Sequence, residues 1–352
     1  MEIQQALFCI SIAVILFTLI PLIRHDFWVF RVFEYPRLQK LVLNFSLLVC
    51  HAFYFPATTL QKVVVVILVF NLIYIIYQVF PFTKFGKKQI VSSKSAANDK
   101  NITLLIANVY QDNRDSDSYL KLIKKCNSDV LLMVETNSWW EQQINVIGED
   151  YPYQLKIPLE NTYGMLFYSR LQLRNGKINY LVKEDIPSIE VEVQLKNGQW
   201  VKLYCLHPEP PVPQENPRST ERDKEILMVG KSAKDCQLPV IVMGDLNDVA
   251  WSYTTELFGK ISGLLDPRRG RGFFNSFNAK YFFLRFPLDH IFCSTDFTLS
   301  SIKRMESCGS DHFPMCVSLQ YNPKVEALNE QPFADESDLE LAEEKLNAST
   351  EN

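Results

Sequence analysis

Residues 239–248 read PVIVMGDLND. The run Val240–Met243 is short, apolar and β-branched, which is the pattern of a strand buried on both faces. It is followed at once by a glycine, an acid and an amide. A packed sheet displays functional groups at the ends of its strands, so Asp245 and Asn247 are placed where chemistry is done.

The same arrangement recurs outward along the chain. ITLLIAN ends on Asn108 and DVLLMVE ends on Glu135. VKLYCLH ends on His207, PLDHIF carries Asp289 and His290, and Ser310, Asp311 and His312 precede FPM. A lone carboxylate after a strand is ordinarily a turn or cap residue. As an ordered set at strand ends, amides, acids and three of the five histidines point to one shared site.

Further strands are expected at Met165–Tyr168, Ile189–Leu195 and Val201–Leu206, with helices at Ser118–Cys126 and Glu221–Ala233. By itself this pattern supports a mixed α/β class.

With these motifs in place, residues 101–320 resemble the endonuclease/exonuclease/phosphatase superfamily. GDLN followed by a late SDH, with the early Asn and Glu motifs in order, carries the resemblance. YPRLQ, TTELF, SGLLDPRRGRG and PLDHIFCS are similar to a bacterial membrane-anchored branch. The resemblance implies a four-layer α/β sandwich, two packed, mostly antiparallel sheets with outer helices, preceded by transmembrane helices. It implies hydrolysis of a phosphodiester or phosphomonoester with Mg²⁺, for which Mn²⁺ can substitute.

It also implies roles. Glu135 matches the main metal ligand, with Asn108 and Asp311 supporting it; hard oxygen donors suit Mg²⁺. Asp245 matches the acid that orients or deprotonates the attacking water, and Asn247 its phosphate-binding neighbour. His207 and His312 match phosphate-contacting histidines, and Asp289 the acid that orients His312. Whether Asp245 or the His312 pair is the base stays open, as does the number of metals. Many nucleases of the superfamily carry an acid two residues after the first Asn, where this chain has Tyr110.

Other motifs are weaker. Arg268 and Arg271, in the run RRGRG, are candidate substrate-phosphate contacts. Tyr281-Phe282-Phe283 is read as core packing rather than a base-stacking platform. Trp139 and Trp140 either line the pocket mouth or pack a helix. The eight cysteines show no paired spacing, which reads as buried thiols in a reducing compartment.

Charge and hydropathy divide the chain. Residues 1–100 are net +6, residues 101–322 net −3 and residues 323–352 net −7. Ala6–Ile23, Leu41–Gln61 and Val63–Thr83 are near the roughly twenty residues that span a bilayer. The first lacks the basic start of a cleaved signal peptide. Residues 1–83 are thus expected to form an anchor of about three spans, multi-pass in a cell inner membrane. Residues 84–100 read as a polar linker, 101–322 as the catalytic domain, and 323–352 as an acidic tail, disordered or weakly helical. Cations cluster at Arg24–Lys40 and Lys84–Lys94, which places the body in the cytoplasm by the positive-inside rule.

Membrane lipids are therefore expected partners beside a phosphoester substrate. A near-neutral body disfavours bulk nucleic acid as the partner, while a metal-dependent nuclease remains the alternative. An inactive membrane scaffold is the alternative of another class. The oligomeric state is not legible.

Overall fold

The computed structural model describes residues 2–93 and 99–350. Three long helices open the chain: α1 (Glu2–Leu19), α3 (Arg37–Phe53) and α4 (Thr59–Val79), with the single turn α2 (Trp28–Arg31) between the first two. Gln4 reaches the carbonyl of Phe55, so the start of α1 lies beside the α3–α4 turn. The bundle buries polar groups together with Val14, Leu47 and Leu68, and its outer surface is largely apolar. Ser11 faces His51 at 3.1 Å and Asn71 donates to Asn44 at 2.8 Å in its interior, while Phe45 and Phe70 are exposed. The helices Glu2–Ile23 and Thr59–Phe82 are long and apolar enough to cross a membrane. At 17 residues, α3 is shorter than the second span expected from the sequence.

Two sheets follow. The first has the order β10-β11-β1-β2-β4-β3, formed by β1 (Asn101–Asn108), β2 (Val130–Val134), β3 (Tyr153–Ile157), β4 (Met165–Ser169), β10 (Phe297–Arg304) and β11 (Met315–Tyr321). The second has the order β5-β6-β7-β8-β9, formed by β5 (Leu173–Asn179), β6 (Ser188–Gln194), β7 (Trp200–Leu206), β8 (Val240–Asp245) and β9 (Asp289–Cys293). β1 with β2 and β7 with β8 run parallel; every other pair is antiparallel. Ile106, Leu132, Phe167, Val191, Leu203 and Met243 meet in the layer between the sheets.

Helices cover both outer faces. α5 (Ser116–Cys126) and α6 (Ser138–Ile144) pack Tyr119, Ile123 and Trp140 against the first sheet. α7 (Thr220–Asp235) and α8 (Tyr253–Ser262) place Ile226 and Phe258 against the second. The result is the α/β sandwich that the resemblance implied.

Three expectations are corrected. Within the stretch read as a linker, Ile90 is fully buried between the sheets and the Gln89 side chain accepts from the Asp266 amide; residues 94–98 of that stretch lie outside the described residues. The acidic end forms α9 (Glu336–Asn347). Its Ala342 packs with Leu227 and Leu257, and Lys345 pairs with the buried Asp223 at 2.7 Å, contacts that composition does not reveal. Cys126 and Cys316, 190 residues apart, form a disulfide because α5 lies over β11. The thiol count therefore gives no ground for a reducing compartment.

The N-terminal helices do not merely hang from the body. Tyr35 and Phe82 pack with Val249, Trp251 and Phe286. The Trp251 indole donates to the Glu34 carbonyl at 2.9 Å, and Arg31 pairs with Glu34 at 3.1 Å, both fully buried. The segment between the first two long helices is thus part of the body's core.

Candidate active site

Strand register gathers the polar residues. Asn108 ends β1 opposite Val134, so Glu135 follows one step beyond on the neighbouring strand. In the second sheet Leu206 pairs with Gly244 and Asp245 pairs with Asp289, which brings His207, Asp245 and Asp289 to one edge. A Cβ at Gly244 would collide with the Leu206 carbonyl, so only glycine permits this approach.

The two edges meet across the sandwich. The Asn108 side-chain amide donates to Glu135 Oε1 at 2.7 Å and to Asp245 Oδ2 at 3.0 Å. The Asn247 amide donates to Asp245 Oδ1 at 3.0 Å, fixing the other carboxylate oxygen. Tyr110, Glu135 and Asn247 all hold positive φ, of 58°, 57° and 50°. Such backbone strain in non-glycine residues concentrates at functional sites.

His312 enters from the segment before β11. Its Nδ1 lies 2.8 Å from Asp289 Oδ2 and its Nε2 lies 3.5 Å from Asp245 Oδ2. Burial disfavours its charged form, but the carboxylates of Asp289 and Asp245 prevail and raise its pKa to about 10. It is an imidazolium at neutral pH. His207 is the opposite case: burial pulls it down to about 4, it is neutral, and its Nδ1 has no hydrogen-bond partner among the described residues. Two histidines at one site are thereby held in different charge states.

Burial pushes the Glu135 carboxyl up to about 7, against the Asn108 hydrogen bond and with the added repulsion of Asp245 and Asp311. Such crowding of hard oxygen donors is what a divalent cation relieves. Asn108, Glu135 and Asp311 are the residues that would hold it. Asp245, Asp289 and His312 also lie close enough to share an ion. The His312–Asp289 hydrogen bond and the His312–Asp245 ion pair already account for that closeness.

The two arginines singled out from the sequence do not join the site. Arg268 is 2% exposed, is bound to Asp266 at 2.9 Å and contacts His290 Nδ1 at 2.6 Å. His290 in turn meets the Asp248 carbonyl at 2.8 Å, so this is an internal strut behind the GDLND loop. Arg271 is turned toward the carbonyl of Ile90 and the hydroxyl of Ser92. A loop motif shows charge but not direction.

Other residues here were not legible. The Phe277 ring lies 4.9 Å from the His312 ring, and the Ser276 hydroxyl accepts from the amides of Leu288 and Asp289. Neither sits in a motif. The run Tyr281-Phe282-Phe283 is exposed, contrary to its reading as core; Phe283 is 79% accessible. Trp140 is fully buried and packs edge-on against Tyr119. Tyr110 carries the Lys280 ammonium 4.3 Å from its ring centre, so the position of the second acid in nucleases is occupied by an aromatic and a cation.

Such a sandwich, with acids, amides and histidines meeting at one end of its two sheets, defines a phosphoesterase of the metal-dependent kind. Residues 105–312 match the model of the endonuclease/exonuclease/phosphatase family, and the chain belongs to that family. It is accordingly a hydrolase of phosphate ester bonds that works with a divalent metal ion.

Solved structures share the fold. Zebrafish (D. rerio) TDP2, crystallised with a single-strand DNA product, aligns with a TM-score of 0.52 at 18% identity, over 62% of this chain and 99% of that one. An endonuclease/exonuclease/phosphatase protein of Beutenbergia cavernae aligns with a TM-score of 0.51 at 14% identity, over 63% and 72%. One from Bacteroides vulgatus gives 0.51 at 14%, over 63% and 99%. No curated protein matches the chain in sequence.

Proposed function

We propose that this protein is a membrane-anchored, Mg²⁺-dependent phosphoesterase whose substrate is a lipid head group or small phosphoester rather than bulk DNA. The observation that carries the hydrolytic part is the position of His312 between Asp289 and Asp245, with Glu135 and Asn108 beside them.

A bound divalent cation would supply charge neutralisation and polarisation of the ester at Asn108, Glu135 and Asp311. The chain's own groups do the rest. Asp245, held by two amides, orients the attacking water. His312, kept cationic by Asp289, donates from Nε2 to a phosphoryl oxygen as negative charge grows there. His207 is a neutral neighbour that can contact the same phosphate.

Membrane anchoring is supported by the polarity of the helical bundle. Asn44, Asn71 and His51 are buried while Phe45, Val66 and Phe70 face outward, the distribution that suits an apolar solvent. The Gln39 side chain, near the start of α3, donates to the Phe283 carbonyl at 2.7 Å. The exposed Phe282 and Phe283 therefore lie beside the anchor and suit contact with head groups. The cationic cluster at Arg24–Lys40 and Lys84–Lys88 favours the cytoplasmic side of an inner membrane.

A nuclease is the second reading. Arg285 and Arg304 flank the Phe313 ring next to His312, which gives the mouth a local positive field. The relative solved with a DNA product shares the fold.

The test is turnover by the full-length chain, with Mg²⁺ or Mn²⁺, on mixed-lipid vesicles, small phosphoesters, plasmid DNA and single-stranded RNA. Efficient plasmid nicking that disappears in Asp245→Ala and His312→Ala would replace the lipid reading with the nuclease one. No hydrolysis of any substrate, together with no metal binding, would leave an inactive scaffold.

A further inference from the structure

Away from the catalytic residues, a cavity of about 410 Å³ lies where the anchor meets the body. Thr18 and Leu22 line it from the end of α1, and Tyr74, Tyr77 and Gln78 from the end of α4. Cations predominate in its wall: Arg24, Arg37 and Lys40 come from the anchor, Lys260 and Arg269 from the body. The acids that line it are Glu34, Glu256 and Asp266.

The acids are committed. Glu34 holds Arg31 at 3.1 Å, Glu256 holds Arg269 at 3.5 Å and Asp266 holds Arg268 at 2.9 Å. Lys260 is engaged with Asp338 at 2.8 Å. Arg37 is not. It is 7% exposed, and among the described residues its guanidinium makes no hydrogen bond and no close ion pair; Glu34 and Glu256 meet its charge only at longer range. A buried guanidinium whose donors are unused is costly, and its planar fork of five donors matches a phosphate. Among the described residues, Lys40 beside it donates to the carbonyls of Phe17 and Phe33. Arg24, exposed at the rim, also lacks a partner among the described residues.

We propose that this cavity binds the phosphate of a head-group-sized anion, gripped by Arg37 with Lys40 and Arg24. The ends of both long apolar helices line it, so an anionic phospholipid is one source and free phosphate the other. The lipid source rests on the membrane reading above; the anion site does not. The site is separate from the catalytic one, so it would seat the enzyme on anionic bilayers rather than hold its substrate.

The test uses the full-length chain in non-ionic detergent with EDTA, which suppresses metal-dependent binding at the catalytic residues. Native mass spectrometry and thermal unfolding are recorded with phosphatidylglycerol, phosphatidylcholine, inorganic phosphate and chloride at matched ionic strength. The expected result is one phosphatidylglycerol retained per chain and a raised Tm. Binding should weaken about tenfold in Arg37→Gln, the loss of a charge-assisted contact, and less in Arg24→Gln. Arg24 is exposed, so that variant should fold even if Arg37→Gln does not. A saturable shift with inorganic phosphate, lost in the same variants, would identify free anion as the ligand. If neither phosphatidylglycerol nor phosphate exceeds phosphatidylcholine and chloride, or if Arg24→Gln and a folded Arg37→Gln both bind like wild type, the proposal is overturned. A chain that stays soluble without detergent would end the membrane reading and leave the phosphate arm to decide the site.

Discussion

Nδ1 of His312 lies 2.8 Å from Oδ2 of Asp289, and the opposite ring nitrogen lies 3.5 Å from Oδ2 of Asp245. The imidazole is thus held between two buried carboxylates supplied by adjacent strands. Asp289 lies at one ring nitrogen and Asp245 at the other. If the pair acts as a unit, its losses are not additive. Asp289→Ala and His312→Ala should each lower kcat by about 10²–10⁴, the range for a positioned acid or base. The double variant should be little worse than the worse single one. Fully multiplicative losses in steady-state kinetics would show independent roles.

Glu135 should be needed for metal binding rather than for folding. Its carboxyl is pushed up to about 7 by burial among Asp245 and Asp311, so the fold holds it there at a cost. Glu135→Gln removes a charged oxygen while keeping the Asn108 contact in reach. Thermal stability without metal should be unchanged or higher, and the Mg²⁺ concentration for half-maximal activity should rise about tenfold or more. Wild-type metal dependence in the variant would show that Glu135 is not a ligand.

Removal of residues 1–83 should destabilise the body rather than release it. That deletion uncovers Trp251, Phe286 and Leu288, which pack against Tyr35 and Phe82. It also strips Arg31 and Glu34 from the buried network around Asp248. The Tyr35 hydroxyl, which donates to the Asn247 carbonyl at 2.8 Å behind the catalytic loop, would be lost with them. The shortened chain is expected to aggregate, or to unfold several degrees lower. A monomeric fragment with the Tm of the full-length protein would contradict this.

A pH effect is expected at Glu225, in α7 and far from the strand ends. Burial raises its pKa to about 8, and Oε1 has no partner. The unfolded chain loses this proton near the ordinary carboxyl value of about 4.3, while the folded chain keeps it to about 8. Between those values the folded state binds more protons, so stability falls as pH rises through that window. Glu225→Gln should therefore match wild type near pH 4 and be more stable, by up to about 5 kcal/mol, at pH 8.5. Parallel Tm profiles across pH 4–9 would show that the carboxyl finds a partner or reaches water.

Arg268 tests the correction made to the RRGRG motif. It is buried against Asp266 and His290, so Arg268→Ala leaves an uncompensated carboxylate. A loss of about 3–5 kcal/mol of stability is expected, with KM unchanged in whatever fraction folds. A variant of normal Tm and raised KM would return Arg268 to the substrate.

The sequence carried much of this by itself. Short apolar runs ending in Asn108, Glu135, His207 and Asp245, and one opening at Asp289, are strands with polar ends because a strand buried on both faces admits only apolar side chains. That constraint is local, and so are GDLND and SDH. The core strands β1, β2, β4, β6, β7, β8 and β9 were accordingly legible, whereas β3, β5 and β10, with mixed or exposed patterns, and β11, whose apolar run is broken by Ser318 and Gln320, were not.

The tertiary structure decided whatever depends on direction and partner. Arg268 and Arg271 turn inward because Asp266 and the Ile90 carbonyl are there to receive them. Phe282 and Phe283 turn outward beside the N-terminal helices, and α9 is ordered because Asp223 and Leu227 give it a surface to cover. Cys126 meets Cys316 across 190 residues. Periodicity and motif report which residues a segment needs to bury, since that is fixed by its own backbone. Which charge meets which, and which side faces the N-terminal helices, depends on how the chain turns and packs, whether the partner is two residues away, as Asp266 is from Arg268, or 181, as Ile90 is from Arg271.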